Sequence, residues 1–222
     1  MGTSSTWGIP VAMAVAVAAH QPSGVVDEAT FTFTRAGTPY GSESFRIIRR
    51  IGADGPEFLA QCTRTSDGRI VKTALTTDSL GSPTTYSRTV TGGTGGNINA
   101  RRMVNRLTVD EAGPQASTRD YAFTTGALIL DEDVIHQLYF VTLGAPRGVT
   151  WVAPGARASG QAVLAEVGRE NVVIKGVNVL AVRYTFGSGD SRREIWIDSR
   201  RRLLKVSAPA QQLVGTRDAL PR

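Results

Sequence analysis

A chain of 222 residues with 41% hydrophobic and 20% charged side chains lies in the globular range and outside the disordered one, and its length suits one β domain. The formal net charge of +6 is carried by arginine, because Lys72, Lys175 and Lys205 are the only lysines among 25 basic residues set against 19 acids. These basic residues are spread along the chain and aromatics make up only 7%, which argues against a stacking platform for nucleic acid, and the single cysteine, Cys62, excludes an internal disulfide.

The first charged side chain is Asp27, and before it Trp7 to Ala19 is a nearly continuous apolar run. Its length matches the apolar region of a signal peptide and falls short of a membrane span, with Ala16-Val17-Ala18 offering small residues for cleavage. Residues 1–19 are therefore expected to be a signal peptide. A retained N-terminal anchor stays open beside it, since MGTSST lacks Lys and Arg and Pro10 interrupts the run. Either way the protein is expected to be exported, periplasmic or held at the periplasmic side of a membrane.

From Glu28 onward the apolar period is two, in short runs punctuated by Gly, Pro, Asp and Ser, which predicts consecutive strands. Thr30–Arg35 and Gly41–Ile51 form the first pair around Gly37-Thr38-Pro39. Asp54-Gly55-Pro56 and Ser66-Asp67-Gly68 turn the chain into Phe58–Thr65 and Arg69–Thr76. Thr84–Thr91, Ile98–Asp110 and Arg119–Thr125 follow. In the second of these, Met103, Leu107 and Val109 are expected on one face and Arg102, Arg106 and Thr108 on the other, as in an antiparallel sheet covered on one side. Asp133–Leu143 breaks the pattern: Val134, Ile135, Leu138, Tyr139, Val141 and Thr142 fall at helical spacing. Asp131, Glu132 and Asp133 are expected to cap that helix, and Gly144 and Pro146 to end it. Strands resume at Thr150–Val152, Gln161–Val167, Val172–Lys175, Val177–Phe186, Arg192–Asp198 and Leu203–Ala208. This gives one antiparallel β domain over 28–209, with 210–222 read as a C-terminal tail along the surface.

Catalytic chemistry finds little purchase. His20 and His136 are the only histidines, so zinc or triad chemistry would hang on His136, which is expected to be a half-buried helix residue. The acidic run 131–133 lacks the ligand spacing and glycine of a calcium loop. Gly92-Gly93-Thr94-Gly95-Gly96 lacks the Lys-Ser/Thr pair of a phosphate loop and leads into a strand. No G-x-S-x-G elbow is present, and Cys62 reads as a small core residue. No metal, cofactor or catalytic residue is expected. Arg200, Arg201 and Arg202 sit at a tight turn, either as a solvated basic tip or as a contact for lipid headgroups or an acidic partner.

Val177–Phe186, Glu194-Ile195-Trp196-Ile197-Asp198 and Arg202 to Pro209, with the earlier Tyr40-Gly41-Ser42-Glu43-Ser44-Phe45 and the helix around His136, resemble an uncharacterised family of secreted bacterial β proteins. The resemblance implies a wide antiparallel sheet curled as an open or half barrel, similar to the lipoprotein-carrier superfamily, and it supplies no catalytic residues. The expected fold is thus mainly β, a wide curled antiparallel sheet with one short helix, and a helix of that kind is able to plug the concave face. Leu180, Val182, Tyr184, Phe186, Trp196, Trp151 and Tyr139 are the candidate lining of an apolar pocket, or equally a filled core. The first functional reading is a noncatalytic periplasmic binding or carrier module for an apolar or lipid-like ligand. The second is a structural or accessory subunit docking on a membrane-protein assembly, and the third an enzyme of unknown chemistry. Nucleic acid is not an expected partner, and oligomeric state is left open.

Overall fold

In a computed structural model the described residues are 24–221 apart from 94, 114–115, 132–133 and 144–147; the proposed signal or anchor segment lies outside them. Their strands form one sheet built as two wings. The first wing runs through β1 (Gly24–Arg35), β2 (Thr38–Gly52), β3 (Gly55–Ser66), β4 (Arg69–Asp78), β5 (Pro83–Thr91), β6 (Asn97–Met103), β7 (Arg106–Ala112) and β8 (Ser117–Ala122), each antiparallel to the one before. The second runs through β9 (Leu128–Ile129), β10 (Gly148–Ala153), β11 (Ala158–Ile174), β12 (Val177–Phe186), β13 (Arg193–Ile197), β14 (Leu203–Ala208) and β15 (Leu213–Arg217). The wings join at the centre, where β1 pairs antiparallel with β15, and the sheet ends at β8 and β9 without closing. The expected mainly β, curled antiparallel sheet with one short helix is what the chain forms.

Local chemistry explains the hairpins. Ala36-Gly37, Asp67-Gly68 and Lys175-Gly176 are two-residue turns with both residues at positive φ, the geometry whose twist matches that of paired strands, and glycine takes the second position each time. The long β11 slips register between Glu166 and Gly168, with Gly168 at φ +152°. Beyond this bulge, Val172, Ile174, Ala181, Trp196 and Leu204 form a small second core on the outer face, as β11 reaches back against β14.

The main core is the curl's inner face packed on the described part of residues 123–143. Phe31, Phe33, Phe45, Ile47, Leu75, Ile98 and Leu107 from the first wing meet Phe123, Leu128, Ile129, Ile135, Leu138 and Phe140 of this central segment. Each such side chain contributes about 1.5–3 kcal/mol by leaving water. Phe140 stacks edge-on against Phe58 at 6.0 Å and Tyr139 at 5.4 Å.

Four local expectations change. The helix is a single turn, α1 (Leu138–Val141), with Gln137 at its start and no side-chain cap. Asp131 is not a cap: it is buried and accepts hydrogen bonds from the Tyr86 hydroxyl and from the Gly155 amide at 2.8 Å, while Glu132 and Asp133 lie outside the described residues. The run 98–110 is two strands turned at Val104-Asn105, which leaves Met103 exposed. The expected tail contains β15, the strand at the heart of the sheet. Leu213, Gly215 and Arg217 face inward there, and Gly215 leaves the room the Phe33 ring fills; a five-residue alternation interrupted by glycine and arginine carries no apolar signature of a buried strand.

Candidate functional site

Strand alternation carries charged side chains into the interior. On β2, Glu43 is in phase with Phe45 and Ile47, and it is fully buried. Its Oε1 accepts from the His136 amide at 2.9 Å and lies 3.1 Å from His136 Nδ1; its Oε2 accepts from the Ile135 amide at 2.9 Å and lies 3.6 Å from Arg64 Nη1. A carboxylate there can only accept, so Nδ1 carries the imidazole proton. Arg64 in turn lies over the Phe33 ring at 4.1 Å.

Glu43 thus holds one turn of the central segment. The buried Asp131, with Tyr86 from β5, Arg88 Nε at 3.8 Å and the Gly155 amide, holds another. Gln137 Oε1 accepts from the Asp131 amide at 2.6 Å, and the Leu130 amide donates to the Val152 carbonyl at 2.9 Å. At the far end Arg201 Nη1 donates to the Thr142 carbonyl at 2.9 Å. The segment is fastened to both wings by buried polar groups as well as by apolar packing. Helix macrodipole effects play no part, because one turn is too short for them.

Glu43, Cys62 and His136 bring a carboxylate oxygen, a sulfur and an imidazole nitrogen within 4.8 Å of one another, the chemistry that suits a zinc-type ion. The fit is poor: Glu43 Oε1 already takes its amide and imidazole donors, and the Arg64 guanidinium stands where a cation's charge would be opposed. His136 is fully buried rather than half-buried, as a strut under the central segment.

Open space lies at both ends of that segment. At one end a cavity of about 70 Å³ is lined by Phe33, Leu130, Val134, Leu138, Trp151, Phe186, Val206 and Leu213, with Asp131, Ser191 and Arg193 as its polar lining. That is room for a few waters or a short alkyl segment, below the volume of a ligand pocket. At the other end, by the 198–201 turn, a recess of about 330 Å³ has a mixed lining of Leu164, Val182 and Tyr184 with Glu166, Asp198 and Arg201. Beside it an open groove of about 880 Å³ has Val25, Val26, Phe58, Tyr139 and Leu143 as its floor and Arg49, Arg200 and Arg201 at its rim.

The residues singled out from the sequence are therefore dispersed. Trp151 and Phe186 meet at the cavity; Val182 and Tyr184 line the recess; Tyr139 floors the groove. Two do not belong to any of these. Trp196 points to the outer face, where it donates to Glu170 and lies under Lys205 at 4.6 Å, because it stands one residue out of phase with Ile195 and Ile197. Leu180 is 60% exposed, since it sits near the tip of the β11–β12 hairpin beyond the central segment. Of the three arginines, Arg202 is held by Asp198 at 2.7 Å, Arg201 serves α1, and Arg200 is exposed. Sequence reasoning missed Glu43 and Arg49 and gave Asp131 the role of a helix cap instead of a buried fastening. The usable signal for Glu43 was a charge in phase with an apolar strand face.

Burial pushes the Tyr139 phenol up to about 12, with the Asp27 charge adding to it and Arg201 and Arg49 opposing. The two guanidiniums therefore act on the phenol that floors the groove. Burial likewise raises the Tyr184 phenol, with Glu166 adding to the shift.

No family model matches the chain, and no curated protein does. Among solved structures, the crystal structure of a β-barrel-like protein of a domain of unknown function from Brucella abortus is similar, with a TM-score of 0.49 and 11% sequence identity, covering 86% of this chain and 94% of that one.

Proposed function

We propose that the protein is a noncatalytic binding module, exported to the periplasmic side of a membrane, that accepts an apolar or lipid-like ligand along the curl of its sheet. The observation that carries this reading is the central segment: it fills the concave face with apolar side chains yet leaves a mainly apolar cavity at one end, and a mixed recess and an apolar-floored groove at the other. A sheet this wide has an inner face that must be covered, and here the cover is an irregular segment with a single helical turn, hung on a few polar fastenings. Displacing it would join the cavity to the recess as a ligand-sized trough, in the manner of the lipoprotein-carrier fold.

Purification from the native host followed by native mass spectrometry and lipid extraction is expected to recover a bound apolar molecule. Loosening the segment with Phe140→Ala should raise uptake of the neutral probe N-phenylnaphthylamine. Protein that carries no ligand and takes up no probe in either form rejects the reading.

A second reading, an accessory subunit of a membrane assembly, is favoured by one feature. The β11–β12 hairpin exposes Val163, Val167, Val173, Val177 and Leu180, a set of large apolar side chains on one projecting element. Co-purification of a stoichiometric membrane-protein partner that is lost on Val173→Asp would support it.

A further inference from the structure

Most arginines of this chain that the structure describes have a carboxylate beside them: Arg46 with Glu28, Arg50 with Glu57, Arg64 with Glu43, Arg102 with Asp78, Arg183 with Glu194, and Arg217 with Asp27. The groove by the 198–201 turn departs from that pattern. Arg49, from the outer end of β2, and Arg200 and Arg201, from the turn between β13 and β14, converge on it with no carboxylate among its described lining residues. Neither Arg49 nor Arg200 forms an ion pair among the described residues, and Arg201 gives one nitrogen to the backbone carbonyls of Thr142 and Leu143. Asp198 is paired with Arg202 and Asp27 with Arg217, while Glu166 lies in the adjoining recess with Arg201 and not in the groove. Under these guanidiniums the floor is apolar, with Phe58 and Tyr139 buried and Val25 exposed.

We infer that this groove is a binding site for an anionic phospholipid, with the phosphate held by Arg49 and Arg200, Arg201 beside them, and the first part of an acyl chain along Val25, Phe58 and Tyr139. Guanidinium forks match phosphate oxygens in pairs, and an unneutralised cluster of them attracts a phosphate where a paired arginine does not. The apolar floor selects for a phosphate that carries a chain. The volume of about 880 Å³ falls within the range of small-molecule sites. This assignment rests on the binding-module reading and names the headgroup end of its ligand. It also alters the expectation for the basic turn: Arg202 is excluded by its pairing with Asp198, and Arg49, distant in sequence, takes its place.

The test uses the full chain in vesicle flotation with phosphatidylglycerol or with phosphatidylcholine. Wild-type protein is expected to float with phosphatidylglycerol and to lose that binding as salt rises. Arg49→Gln combined with Arg200→Gln should weaken it by about fivefold per arginine, while Arg46→Gln, at an exposed site paired with Glu28, leaves it unchanged. Arg201 is left in place because it holds α1. Dihexanoyl-phosphatidylglycerol should compete and inorganic phosphate at the same concentration should not. Equal flotation with both lipids, equal flotation of the double variant, competition by phosphate alone, or preferential capture by an acidic peptide would each overturn the assignment. Uptake of N-phenylnaphthylamine separates the two readings. Probe uptake without phosphatidylglycerol binding rejects the headgroup site alone, and phosphatidylglycerol binding without probe uptake rejects the interior ligand and leaves the headgroup site standing.

Discussion

The two wings of the sheet meet twice, and the two meetings are made differently. At the centre β1 and β15 are zipped by a backbone ladder from Phe31↔Arg217 to Arg35↔Leu213, and beside it Arg217 Nη1 donates to the buried Asp27 at 2.8 Å and to the Leu203 carbonyl at 2.9 Å. At the rim, β8 and β9 do not pair. The gap is bridged by the central segment, hung from Glu43 and Asp131, and by Arg157, which reaches from the β10–β11 turn to Glu111 of β7 at 3.0 Å. One junction is a continuous sheet with a buried ion pair, and the other is an irregular segment packed across the gap with a surface clip. The second is the less continuous of the two, since apart from the two-residue pairing of β9 with β10 the segment is held by isolated hydrogen bonds, and it is the junction that the proposed binding reading needs to open.

Breaking the zipped junction should cost most. Arg217→Ala leaves Asp27 buried without its partner and is expected to destabilise the fold by about 3–5 kcal/mol in chemical denaturation, whereas Arg217→Met with Asp27→Leu should recover most of that loss. At the bridged gap, Glu43→Gln keeps an acceptor but removes the charge that the Ile135 and His136 amides and Arg64 face. A loss of about 2 kcal/mol is expected, with faster hydrogen exchange confined to the amides of residues 135–141. Global rather than local loosening would show that the cover is part of the same cooperative unit as the strands.

Acid titration sharpens the contrast, since the junctions respond with opposite sign. Burial raises the Asp27 carboxyl above 3.8, with Arg217 pulling the other way, so the native state takes up this proton before the unfolded chain does. Stability from this group therefore grows as pH falls from the raised value to 3.8, and wild type should gain on Asp27→Asn across that window. The Arg119 hydrogen bond holds Glu111 below 4.5, with Arg157 adding to it, so its contribution is complete above 4.5 and is lost as pH falls through the lowered value. The smallest effect is expected at the clip itself: Arg157→Ala, at a side chain 42% exposed, should cost less than about 1 kcal/mol, measured as a shift of the urea midpoint.

The sequence by itself determined the β class, the antiparallel order of the first wing and the tight hairpins, because period-two alternation and residues that tolerate positive φ are local signals. It also located the interruption between β8 and β10, though it made one turn of helix into three, since apolar residues at spacings of three and four describe any segment buried on all sides. Tertiary structure alone decided the rest. That Leu213–Arg217 is the central strand depends on a partner almost the whole chain length away, and that Trp196 faces outward depends on its register with Arg183. The gathering of Arg49 with Arg200 and Arg201 depends on where two wings, folded separately along the chain, come to rest beside each other. Pairings of that kind carry no signal in either stretch of sequence alone.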